Sequence, residues 1–333
     1  MTFQHMNERR SATAARALTG LRTILGTLAV ALALVTTAAA QPADTLRIGF
    51  QRSSTLIAIL KANGELEKAL APLGTKVSWH EFTSGLPLLE ALNLGNVDFS
   101  ADVADTVPVF AQAAGADLVY VAEEGPSPAA QAILVAKDAP IAAIPDLKGK
   151  RVAVTKGAGS HFLLLAALAS KGLSFADIRP AYLPPADGRA AFVSGHVDAW
   201  VAWDPFLTSA RRQTDARILA DGERLASYKR YYLTSAATQD KRGAALAVTF
   251  AKLKETGLWV KQHPAEAAKL LAGLWGIDAA TIEEANSHRS YAVGPVTRAG
   301  LTEQQTIADA FTKDGLIPKR IDTSAARIWQ PPS

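Results

Sequence analysis

Two stretches of this chain repeat one another about 100 residues apart, a spacing that belongs to domains and not to a solenoid. Arg47-Ile48-Gly49-Phe50-Gln51-Arg52-Ser53-Ser54 resembles Arg151-Val152-Ala153-Val154-Thr155-Lys156-Gly157-Ala158. Each starts with Arg and ends in a polar residue, a base and a small residue. Gly95-Asn96-Val97-Asp98 likewise echoes Gly195-His196-Val197-Asp198, each between a helical stretch and a strand-like one. The strand after the first turn runs into Asp105 and Pro108; the strand after the second runs into Asp204-Pro205. One Gly-x-Val-Asp would be an ordinary exit from a helix. Two echoes in the same order, at nearly the same offset, predict two lobes of like topology.

β-rich runs over 46–50, 76–82, 118–122, 132–136, 151–155, 199–203 and 231–234 alternate with helical stretches over 86–94, 162–170, 188–194, 244–262, 265–274 and 302–313. This alternation predicts an α/β fold of two lobes, each a parallel-rich sheet flanked by helices, with a cleft between them. Residues 41–130 are expected to form the first part of lobe I, and 131–231 lobe II. Residues 232–333 have no echo and are expected to return to lobe I as C-terminal helices. The chain then crosses near 131–136 and 228–235, and paired crossings make a hinge. In such sheets ligands bind at the loops that follow the carboxyl ends of the strands.

Residues 1–40 have a different character. Arg9, Arg10, Arg16 and Arg22 stand against one acid, Glu8; an uncharged, mostly apolar run covers 24–35, and Ala38-Ala39-Ala40 closes it. That order predicts a secretory signal cleaved near Ala40. The run is shorter than the roughly 20 residues a membrane-spanning helix needs. There is no cysteine, so disulfides, thiol nucleophiles and cysteine metal sites are excluded. The full chain has 35 basic and 31 acidic residues. Removing four Arg and one Glu leaves the mature chain near +1, without the Lys/Arg block a nucleic-acid surface needs. The six histidines, His5 and His80 among them, lack metal-ligand spacing. No metal or cofactor is expected.

The strongest local feature is Thr155-Lys156-Gly157-Ala158-Gly159-Ser160-His161, between a strand and an apolar helix. Small residues let backbone N–H groups approach an anion, and the helix N-terminus adds partial positive charge. This is a generic oxyanion seat without Walker or dinucleotide spacing. Ser160 and His161 are adjacent on a helix and do not face each other, so they are poorly placed as a nucleophile–base pair. Ser84-Gly85 offers a second helix N-terminus from the other lobe. Gln51 and Arg52 lie in the first echo loop, where a cation would suit an anion. Asp105 and Asp204 repel anions. They would orient donors, meet a ligand ammonium, or serve as the carboxylate pair of an enzyme. Trp200 and Trp203 are three apart on one strand and face opposite sides.

Several runs together resemble the aliphatic sulfonate-binding proteins of the nitrate/sulfonate/taurine group of ABC importers. They are Gly49-Phe50-Gln51, Glu81-Phe82-Thr83-Ser84-Gly85, residues 110–121, Lys156-Gly157 with Ser160-His161, Pro185-Ala186-Asp187 before Arg189-Ala190-Ala191-Phe192, Val197-Asp198-Ala199-Trp200, Trp203-Asp204-Pro205 and Ile328-Trp329-Gln330-Pro331. The resemblance implies a periplasmic, monomeric solute-binding protein of two α/β lobes. It would capture a small anion, an organosulfonate first, and hand it unchanged to a membrane permease and its ATPase. The same role for taurine, nitrate, another oxyanion or an aromatic acid is the alternative, and an enzyme using Asp105 and Asp204 a further one. The resemblance puts ligand contacts on Ser84-Gly85, Asp105-Thr106, Gly157, Gly159, Ser160, His161, Trp203 and Asp204, beside Gln51 and Arg52. Family members often carry Ser-Thr-Gly-Asp where this chain has Asp102-Val103-Ala104-Asp105. They often have several serines where Ala158 and Gly159 stand. Fewer hydroxyl donors face the ligand here.

Overall fold

The structure, a computed structural model, describes residues 44–332; the expected leader lies outside the described residues. The first pass carries β1 (Asp44–Gln51), α1 (Thr55–Asn63), α2 (Glu65–Leu70), β2 (Thr75–Phe82), α3 (Gly85–Asn93), β3 (Phe99–Ala104), α4 (Thr106–Ala113) and β4 (Leu118–Glu124). A second set follows: β5 (Gln131–Val135), β6 (Arg151–Val154), α5 (Gly159–Ala169), β7 (Arg179–Tyr182), α6 (Pro185–Val193), β8 (Ala199–Trp203), α7 (Phe206–Thr214) and β9 (Arg217–Asp221). The chain returns through β10 (Arg230–Ser235), α8 (Ala236–Gln262), α9 (Pro264–Trp275), α10 (Ala279–Ser287), β11 (Val293–Gly294), α11 (Thr302–Lys313) and β12 (Arg327–Ile328).

These strands make two sheets. The larger has the order β11-β4-β10-β3-β1-β2, with β12 on β4; the smaller is β7-β6-β8-β5-β9. In each, the echo strand sits between parallel neighbours: β1 between β2 and β3, β6 between β7 and β8. The strands that carry the chain between sheets run antiparallel to their neighbours. β5 pairs with β8 and β9, and β10 inserts between β3 and β4. A chain arriving from the other lobe enters at the carboxyl edge of the sheet and so runs back against it. The sheets are therefore mixed, and apart from the short β12–β4 pair the parallel pairing belongs to the repeated part. The return strand begins at Arg230, slightly ahead of the expected boundary at 232.

The two echoes prove to be halves of one device. Asp98 Oδ2 accepts from the Arg47 backbone N–H at 2.8 Å, and the Asp98 N–H donates to the Arg47 carbonyl at 2.8 Å. Asp198 does the same to Arg151, at 2.7 and 2.8 Å. In the larger lobe the Arg47 guanidinium also grips Asp98, Nη2 to Oδ1 at 2.7 Å. The Gly-x-Val-Asp turn thus pins the next strand to the start of the echo strand. Gly95 and Gly195 sit at φ 73° and 72°, a left-handed turn that favours glycine over residues with a Cβ.

Several helices escape the sequence pattern. In α1, Thr55 through Leu60 are all buried, so no polar face reveals its period. Strands β7 and β9 are short, partly exposed edges. Helix α8 starts at Ala236 instead of 244. Ser235 caps it, Oγ accepting from the Thr238 N–H at 3.2 Å, and Arg242 breaks its run at φ −130° to reach Asp44 at 2.7 Å. Helices α1, α8 and α9 pack with the larger sheet around Leu46, Ile48, Phe99 and Leu271. The smaller sheet buries α5 around Leu163, Leu164 and Val201.

Candidate functional site

Helices α3 and α4 in the larger lobe, and α5 and α7 in the smaller, each begin just past the carboxyl end of a strand. Contacts between the lobes run through these loops. Trp203 Nε1 donates to Ser53 Oγ at 3.3 Å. A Cβ on Gly157 would stand 2.6 Å from Leu86 Cδ1 and 3.1 Å from Phe110, and one on Gly159 would stand 2.9 Å from the Ala104 Cβ and overlap the Tyr228 ring. The small residues of the expected anion loop thus let the opposite lobe close on it.

Within that loop three backbone donors are spoken for. The Ala158 N–H donates to the Thr155 carbonyl at 3.2 Å, and the His161 N–H to the Ala158 carbonyl at 2.9 Å. The Gly157 N–H donates to His161 Nδ1 at 3.1 Å. Gly159 and Ser160 remain as first-turn N–H groups of α5, which have no acceptor within a helix. Ser160 is fully buried and its Oγ has no partner. His161 is ringed by Phe110, Phe175, Tyr182 and Phe311. Burial holds its imidazole neutral, with a pKa lowered to about 3 and Lys156 adding to the effect. Its one ring bond shapes the loop, and no Ser160–His161 hydrogen bond forms.

The acids are engaged. Asp105 caps α4, Oδ1 accepting from the Thr106 N–H at 2.9 Å, while Oδ2 accepts from the Lys229 N–H at 3.1 Å. Burial, then the charge of Glu303, raises its pKa to about 7. Asp204 Oδ1 accepts from the Thr208 N–H at 3.0 Å and the Thr208 hydroxyl at 2.6 Å, and Oδ2 meets His288 Nδ1 at 2.6 Å. The Arg52 guanidinium donates to the Trp275 carbonyl, at the end of α9. Gln51 Nε2 donates to the Asp102 carbonyl at 3.1 Å. Ser84 is the N-cap of α3 without a side-chain cap bond, and Gly85 follows it, where an added Cβ would stand 2.8 Å from Val107 Cγ2. Trp203 faces the junction with Ala158 and Tyr228, whereas Trp200 packs on Phe192 on the opposite side.

A buried quartet missed by the sequence reading lies beside them. Arg289 Nη2 donates to Asp102 Oδ2 at 3.1 Å and to Glu124 Oε2 at 2.5 Å, and its Nη1 to the Ser53 carbonyl at 3.2 Å. Arg230 also pairs with Asp102 and reaches the Tyr228 hydroxyl at 3.1 Å. All four charged side chains are at most 3% exposed, and two cations balance two anions. Asp102 supplies half of the negative charge. Beside Arg289, a cavity of 10 Å³ is lined by Thr55, Asp204, Trp275 and Tyr291 among others. Among the described residues no cluster of His, Asp and Glu could hold a metal ion.

The comparisons with known proteins agree along the length of this arrangement. The structure matches the periplasmic aliphatic sulphonate binding protein of Escherichia coli at 42% identity, covering 86% of this chain and 98% of that one, with a TM-score of 0.77. It matches the alkanesulfonate-binding protein of Xanthomonas axonopodis pv. citri, solved bound to MOPS, at 39% identity over 84% of this chain and 96% of that one, TM-score 0.80. Residues 74–267, more than half the chain, match the NMT1/THI5 like family. The chain belongs to the aliphatic sulfonate-binding proteins of that family. Its two-lobed fold is theirs. A desulfurization enzyme also superposes, at 16% identity over 85% of this chain and 96% of that one, TM-score 0.60, a likeness of fold alone.

Proposed function

We propose that this aliphatic sulfonate-binding family member is the periplasmic solute-binding component of an ABC importer. It captures a small organosulfonate anion and delivers it to a membrane permease without changing it. One observation carries the reading: the first turn of α5 offers the Gly159 and Ser160 N–H groups, with the buried, unpartnered Ser160 hydroxyl beside them, where the two lobes meet. A sulfonate stays ionised at physiological pH, so fixed backbone donors and a helix dipole suffice and no general acid is needed. Gly159, Ser160 and the facing Ser84-Gly85 are the ligand contacts proposed first. Thr106, Gln51 and Trp203 frame them, Gly157 and His161 shape the loop, and Arg52, Asp105 and Asp204 are held in other bonds.

Those bonds also weigh against the alternatives. Each oxygen of Asp105 and Asp204 already accepts a hydrogen bond from within the protein, so both carboxylates have a structural role that needs no ligand ammonium. Residues 1–40 are proposed as the export signal, removed near Ala40, and the mature protein as a monomer. The test is calorimetric titration with a panel of alkanesulfonates, taurine and nitrate, with mass spectrometry of the molecule that copurifies. Tightest binding to an alkanesulfonate recovered unchanged supports the proposal. Preference for taurine or nitrate, or turnover of the bound molecule, overturns it.

A further inference from the structure

We infer that Gln131 is a ligand-binding residue whose side-chain amide donates to the anion seated on the N-terminus of α5. The inference rests on the reading of that helix end as the anion seat. Gln131 opens β5, on the chain's first passage between lobes, and is 0% exposed. Neither its Nε2 nor its Oε1 has a hydrogen-bond partner. A buried polar group left unpaired is destabilising, and native proteins rarely leave one so.

Topology settles where the amide points. Along β5, Ile133 and Val135 pack in the cluster that holds Leu163, Leu164 and Leu168 of α5, while Ala132 and Leu134 pack on the other face with Phe192 and Trp200. Side chains alternate along a strand, so Gln131 shares the face of Ile133, toward α5. In the ladder it stands opposite Trp203, whose ring packs with Ala158 at the entry to α5. On α5 itself, Ser160 lies one turn before Leu164 and two before Ala167 and Leu168, the row that meets the sheet. The orphaned Ser160 hydroxyl and the orphaned Gln131 amide therefore come from two elements to the same end of the same helix. Both lie on the side of the Gly159 and Ser160 N–H groups, which have no acceptor within the helix. A sulfonate there offers an oxygen to Nε2, and a water entering with it satisfies Oε1.

Gln131→Leu separates this role from a structural one. It removes both unpaired atoms at nearly constant volume, so the melting temperature of the ligand-free protein should hold or rise. Affinity for ethanesulfonate and MOPS, measured by calorimetry, should fall about tenfold or more, the loss of a hydrogen bond to a charged group. Gln131→Met, unbranched and of equal length, gives the same readings if the leucine variant does not fold. Unchanged affinity in either variant overturns the inference. So does a clear drop in the ligand-free melting temperature of both variants, because the amide would then have been bonded in the free protein. Failure of the unaltered protein to bind any sulfonate would instead refute the functional reading, and the ligand-free melting temperatures would still decide whether Gln131 is held unpaired.

Discussion

Replacing His288 with alanine should speed ligand release. His288 follows α10 in the larger lobe, and its Nδ1 meets Asp204 Oδ2 of the smaller lobe at 2.6 Å. Asp204 is 2% exposed in its side chain and His288 23%. Around this bond, Arg212 reaches Glu284 at 3.3 Å and Asp278 at 3.5 Å, also from lobe to lobe. Hydrogen bonds to charged groups contribute about 1.5–3 kcal/mol, and partial exposure of the histidine puts this one at the lower end, about 1.5 kcal/mol. Because the bond exists only while the lobes are together, its loss acts on the closed state, about tenfold in the dissociation rate. The pH dependence follows from the same contact. The hydrogen bond to Asp204 raises the His288 pKa above its ordinary 6.5, burial opposes it, the charges of Asp204 and Glu284 add to the rise, and Arg211 subtracts. A histidine whose pKa is raised by closure stabilises the closed form fully below the open-state value, and that stabilisation fades as pH climbs through the raised value. Release should therefore be slowest in mild acid and quicken as pH climbs above the histidine's ordinary 6.5. Stopped-flow tryptophan fluorescence, chasing ligand from loaded protein across this range, reads it directly. His288→Ala should be fast and flat; His288→Gln, which keeps a donor without the titration, should be intermediate and flat. A release rate identical in the unaltered protein and His288→Ala at every pH would refute the reasoning.

Gly157→Ala should lower the unfolding free energy in urea by about 1–2 kcal/mol, because the backbone sits at φ +70° and the new Cβ meets Leu86. Gly159→Ala should instead weaken sulfonate binding in calorimetry while leaving urea unfolding less affected, since its Cβ collides with Ala104 and Tyr228 across the junction and props the lobes apart. Arg289→Met should cost about 3–5 kcal/mol of folding stability by leaving the Asp102 and Glu124 carboxylates buried without it, and Arg289→Lys should not restore it because a single ammonium cannot replace the fork. The intact mass of protein recovered after export should correspond to a chain beginning near Gln41; retention of residues 1–40 would remove the cleaved-signal proposal.

The division of the fold was legible because both lobes use the same local rule. Arg47 with Asp98, and Arg151 with Asp198, fix a strand start by hydrogen bonds that need the same residues at the same spacing, so the rule leaves a visible repeat. The site was only half legible for the converse reason. What grips a ligand or holds the lobes together must differ between the two sides, and the residues that sequence reading missed lie in the segments without an echo: Gln131 at one crossing, Arg230 at the other, His288 and Arg289 after α10. A buried arginine reads in sequence as a surface charge, and nothing local distinguishes Arg289 from Arg52. The distinction comes from Asp102, 187 residues away from Arg289. Against the family pattern Asp102 looked like the loss of a hydroxyl from the ligand's surroundings. In the fold it is the counter-charge that allows Arg230 and Arg289 to be buried beneath Ser53 and Tyr228. A substitution that reads as a weaker anion site is thus part of a neutral buried network, and the donors for the anion are left to α5, Ser160 and the strand that faces them.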